Sequence, residues 1–109
     1  MSVAVRTLPE TLDQLQRDLA LDDEELAAIL GIPPAALEQT RATLRPLPAA
    51  AAQRLDQLIA FNERLQDSFE PEGVTLWLRS GSRYLHGMTT LAALKDGRFD
   101  RANIALDAL

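Results

Sequence analysis

The spacing of the leucines limits this fold more than anything else in the chain. Leu8, Leu12, Leu15 and Leu19 recur at intervals of four, three and four residues, the period of one face of an α-helix. The same period returns in Leu55, Leu58, Ile59, Leu65 and Phe69, and again in Phe99, Ala102, Leu106 and Leu109. Proline and glycine punctuate these stretches at Gly31-Ile32-Pro33-Pro34, Arg45-Pro46-Leu47-Pro48 and Glu70-Pro71-Glu72-Gly73, and such clusters end helices. Hydrophobic residues make up 47% of the sequence but aromatics only 5%. Leucine and alanine supply most of that share, which favours packed helices over a sheet sandwich. The expected fold class is all-α, and a chain of 109 residues buries roughly 65% of its unfolded surface, enough for one core.

Helix boundaries follow from local chemistry. Thr7 followed by Glu10 is a candidate capping box that opens a helix from about Leu8 to Ala20. Asp22 and Glu25 form a second, with Leu21 and Leu26 placed as a hydrophobic staple, so the next helix should run from Asp23 to Leu30. A third is expected from Ala35 to about Leu44 and a long spine from Ala49 to Phe69. The acidic run Asp22 to Glu25 belongs to a helix start, where the macrodipole favours it. Ala49 to Ala52 and Phe61 hint at apolar surface beyond one core, hence a homodimer, although helix propensity alone explains the alanines. Val74 to Leu78 does not separate strand from helix by period and is assigned a short helix. Thr89-Thr90 before Leu91-Ala92-Ala93-Leu94, and Gly97 after it, fit a capped and stopped helix.

Ala27, Gly31 and Leu37 stand at the mutual spacing of a helix-turn-helix, with a small residue where helices cross, a turn glycine and a return to the core. Base reading is another matter. The outer positions of the third helix are Pro33, Pro34, Ala35, Ala36, Glu38, Gln39 and Ala42, of which only Gln39 can make a bidentate base contact. Arg41 and Arg45 could touch phosphates, but residues 1 to 45 carry four arginines against eight acids. DNA binding is therefore expected to be weak.

Charge is uneven along the chain. The net value is -5, yet residues 74 to 109 hold five cations against three acids, an asymmetry suited to steering an acidic partner or merely an uneven surface. With no cysteine and a lone His86, neither a metal site nor a His-based triad assembles, so no cofactor, metal or enzymatic activity is expected. Lacking an apolar run near 18 residues or a signal-like start, the chain is expected to be cytoplasmic, without a membrane span.

The final third also carries a pattern. Trp77, Leu78, Ser80, Ser82, Arg83, Leu85, Gly87, Thr89, Leu91, Leu94, Gly97 and Phe99 stand in an order that resembles the C-terminal toxin-binding domain of the Xre/MbcA/ParS antitoxins. That family often has proline after the threonine of its central motif, where this chain has Thr90. The resemblance implies two parts: a helix-turn-helix-like platform with its spine over residues 1–69, and a C-terminal toxin-binding unit over 74–109. It implies further a bacterial type II antitoxin that binds a cognate RES-type toxin, one consuming NAD or transferring ADP-ribose, and covers its cleft. Arg83, Tyr84, Leu85, Lys95, Arg98 and Arg101 are the expected toxin-binding residues, since arginine and tyrosine concentrate energy in interfaces. Arg83 could instead close the loop from within, and Trp77 could serve as a junction or as an exposed anchor. A DNA-binding autoregulator and a dimeric adaptor without a toxin remain the rival readings.

Overall fold

The computed structural model describes residues 7–43, 45–82 and 85–108. Among these the chain forms seven helices: α1 (Leu8–Leu19), α2 (Asp23–Leu30), α3 (Pro34–Thr43), α4 (Ala49–Ser68), α5 (Pro71–Leu78), α6 (Thr90–Lys95) and α7 (Phe99–Asp107). The only extended pairing there is an isolated bridge between Gly81 and Thr89. The fold is all-α, as the leucine period requires.

The caps explain most boundaries. Thr7 Oγ1 accepts from the Glu10 N–H at 3.3 Å, and α1 stops where Ala20 turns left-handed at φ 53°. Asp22 Oδ1 accepts from the Glu25 N–H at 2.7 Å while Glu25 Oε1 accepts from the Asp22 N–H at 3.0 Å, a full capping box with Leu21 and Leu26 buried beside it. Thr89 Oγ1 accepts from the Ala92 N–H at 3.0 Å. Gly97, at φ 75°, then closes α6. Leu44, the expected end of α3, and Leu109, the expected end of the last apolar face, lie outside the described residues.

At one junction the structure differs from the sequence reading. Glu70-Pro71-Glu72-Gly73, taken as a break, is the entry to α5, with Pro71 in the first turn. Proline lacks an N–H that this position has no intrahelical use for, so it starts a helix as readily as it ends one. Gly73 packs against the Phe69 ring, and a Cβ there would make an ordinary contact with it at 3.4 Å. The tight corner folds α5 back on α4, and Trp77 meets Phe69 and Phe61 with ring centroids 5.5 and 6.3 Å apart.

A continuous core runs from Leu12 on α1 to Leu106 on α7, with α4 contributing Ala51, Leu55, Leu58, Phe61 and Leu65. Phe61 and Ala51 are buried within this chain, so they are not the spare apolar surface that the sequence suggested. A smaller cluster of Leu85, Ala93 and Ala105 lies alongside, and Trp77 packs against both. Trp77 is therefore a junction.

Arg54 is a structural device that the sequence did not announce. Its guanidinium, on α4, donates to the Ile29 carbonyl at 3.4 Å near the end of α2. A Cβ on Gly31 or on Gly97 would stand 2.8 or 2.7 Å from that guanidinium. Both helix-ending glycines thus leave room for one cation between two helix C-termini, where the macrodipoles favour positive charge. Arg64, also on α4, ties down α7 through Asn103 and Asp107.

Candidate docking face on the C-terminal module

The segment between α5 and α6 is a loop drawn shut by its own backbone. The Ser82 N–H donates to the Met88 carbonyl at 3.0 Å and the Gly87 N–H to the Ser82 carbonyl at 2.8 Å. Gly87 sits at φ 85° and His86 at φ 54°, and a Cβ on Gly81 would approach the Gly87 carbonyl oxygen to 3.0 Å. The loop therefore needs its glycines, one for a close approach and one for a left-handed turn. Closure buries Leu85 against Ala93 and Ala105 and leaves His86 exposed. Arg83 and Tyr84 lie outside the described residues.

Where this loop faces the start of α7, a pocket of about 300 Å3 opens, lined by Leu85, His86, Met88, Ala93, Arg98 and Arg101. Its floor is apolar and its rim cationic. Arg98 is held by its backbone, whose N–H donates to the Ala93 carbonyl at 2.9 Å in the turn that ends α6; its Nε contacts Asp96 at 2.6 Å. Arg101 is exposed, in the first turn of α7, and has no hydrogen-bond or ion-pair partner among the described residues. Cations at a helix N-terminus face the positive end of its dipole, a disadvantage of about 0.3–1 kcal/mol each. Helix stability is thus not what keeps these two arginines at this end.

Three of the six expected contact residues, Leu85, Arg98 and Arg101, gather at this pocket. Lys95 does not. Its ammonium lies 4.0 Å from Glu25, which also holds Arg79 through paired contacts at 3.0 and 3.2 Å. Hydrogen bonding from Arg79 keeps the Glu25 carboxyl below its usual range, against a smaller opposing effect of burial. Since the folded-state value is the depressed one, the stabilisation is whole above the ordinary glutamate range and is lost as pH falls from there through the lowered folded-state value. Glu25→Gln is accordingly expected to lower stability at neutral pH and to flatten its decline in acid. Urea unfolding at a series of pH values checks this, and an unchanged acid slope would remove Glu25 from the account.

The face formed by α2 and α3 is differently disposed. Arg41 donates to Asp23 at 2.8 Å and to Gln16, and lies 3.4 Å from Asp13, with its side chain only 22% exposed. The hydrogen bond from Arg41, followed by that from Gln16, holds Asp23 below its usual range. Gln39 and Arg45 are exposed. Of the three residues proposed to meet DNA, the one at the centre is committed to the chain's own acids.

Sequence reasoning missed Met88 and Ala93 as floor residues and weighed His86 only as a metal ligand or triad member. Their signal was present in the two left-handed turn glycines, Gly87 and Gly97, which flank α6. A larger groove of about 460 Å3 between α1 and α4 is bordered by Asp18, Asn62, Glu63, Gln66 and Asp67, and Asp18 accepts from Asn62 at 3.0 Å there. None of the motif residues reaches it. No helix among the described residues is long and apolar enough to cross a membrane.

No protein-family model matches the chain, and no curated protein does. The class that the described helices define is a small all-α protein built around one long helix, α4. Among solved structures, a chain of the crystal structure of the M. tuberculosis MbcT-MbcA toxin-antitoxin complex shares this fold, with a TM-score of 0.72 at 23% identity. The superposition spans 95% of this chain and 94% of that one.

Proposed function

We propose that the chain is the antitoxin of a toxin-antitoxin pair, that it performs no catalysis, and that its C-terminal module docks on a cognate toxin. The observation that carries this reading is the end-to-end likeness to a chain of a toxin-antitoxin complex. The motif residue Leu85 and the expected contact residues Arg98 and Arg101, brought together at an exposed pocket, support the C-terminal module as the docking part. The finer reading is a RES-type toxin that consumes NAD or transfers ADP-ribose, held by a homodimer of this chain. Autoregulation through DNA is the weaker alternative, because Arg41 is taken up by Asp13 and Asp23.

Co-expression with the product of the adjacent gene tests it. That product alone is expected to arrest growth and deplete cellular NAD, and the present chain to restore both while co-purifying with it. Arrest that persists beside abundant chain, with no complex recovered, would contradict the proposal.

A further inference from the structure

The proposed function says that the C-terminal module docks but not what it recognises. The pocket between the loop and α7 has features that narrow the answer. Its floor is Leu85, Met88 and Ala93, and its rim holds Arg98 and Arg101. Arg98 is partly answered by Asp96, whereas Arg101 has no partner among the described residues. A guanidinium left exposed beside apolar surface is a form common at protein interfaces, where arginine is enriched and lysine depleted. Phosphate backbones need no apolar floor, and a membrane surface favours a broad basic face over one enclosed pocket.

We infer that this pocket receives an acidic segment of the partner protein, one carboxylate against Arg98 and Arg101 and a neighbouring apolar side chain on Leu85, Met88 and Ala93. The inference rests on the antitoxin reading and deepens it by naming the chemistry of the partner's contact. Charge complementarity selects the occupant: residues 74–109 hold five cations against three acids, so an acidic segment gains here an attraction that the rest of this net -5 chain does not offer. Lys95 takes no part, being engaged by Glu25.

The test uses the full chain and the purified adjacent-gene product, with binding measured at low and at physiological salt. Arg101→Glu is expected to weaken binding about tenfold or more and to remove much of its salt dependence, as reversal of an interfacial charge does. Met88→Ala is expected to weaken it about threefold to tenfold with the salt dependence kept, because an apolar contact is not screened. Helical content and melting should stay near those of the parent for Arg101→Glu, since that side chain is exposed. Reversing the matching acid of the partner should restore binding to Arg101→Glu. Parent binding matched within about twofold by both variants would overturn the pocket alone and leave the antitoxin reading standing. Failure of the parent to bind at all would overturn both, and loss by Arg101→Glu of affinity for a short DNA duplex, with protein binding intact, would overturn the pocket in favour of nucleic acid.

Discussion

Phe61→Ala is expected to destabilise the protein by about 3–5 kcal/mol, the range for removing a fully buried aromatic ring. Phe61 is 1% exposed, near the middle of α4, and packs against Trp77. Its loss opens a void where α4 meets α5, and Trp77 is not free to collapse into it, being also held by Phe69. A domain of this size has only about 5–15 kcal/mol in total, so much of its stability depends on this contact. Trp77 is the sole tryptophan, which makes its fluorescence a local reporter. Urea transitions followed by fluorescence and by circular dichroism should coincide in the parent and shift together in the variant. A loss below about 1 kcal/mol would mean that the ring is not the joint it is described as.

Gly97→Ala is the second large effect, expected at about 2 kcal/mol. The residue holds φ 75°, a conformation that costs an alanine roughly 1–2 kcal/mol. Its new Cβ would also stand 2.7 Å from the Arg54 guanidinium and push it aside. The two contributions separate in a double-mutant cycle, because Arg54→Ala relieves the close approach and leaves the backbone strain. A coupling of about 0.5–1 kcal/mol between the sites is expected. Strict additivity, measured by thermal unfolding of the four proteins, would remove Arg54 from its place between the helix ends.

The legible parts of this fold were those set by nearest neighbours. The Asp22 and Glu25 box, the Thr89 cap and the left-handed Gly31 and Gly97 all depend on residues within one turn, and a sequence displays them directly. Helix order followed from the leucine period for the same reason. Pro71 was misread because proline both starts and ends helices, and only the return of α5 onto α4 through Phe69 and Trp77 decides which. Phe61 shows the limit from another side: apolarity was evident, but whether it faces the core or a partner depends on packing across the chain. Arg54, Arg41 and the ion pairs of Glu25 were opaque as well, since the groups they reach across the fold lie between 18 and 70 positions away in sequence. At the candidate site, Leu85 was reached through a family pattern and Arg98 and Arg101 through their residue type on the cationic last third, whereas Met88 and Ala93 emerged only once the loop and α7 were seen to face each other.

Hydrogen exchange of the chain, alone and in complex with the adjacent-gene product, tests the central claim most directly. Docking through the C-terminal module predicts slowed amide exchange at residues 85–88 and 98–101, with α2 and α3 unchanged. Protection confined to α2 and α3, with the loop and the start of α7 exchanging as they do in the free chain, would contradict it.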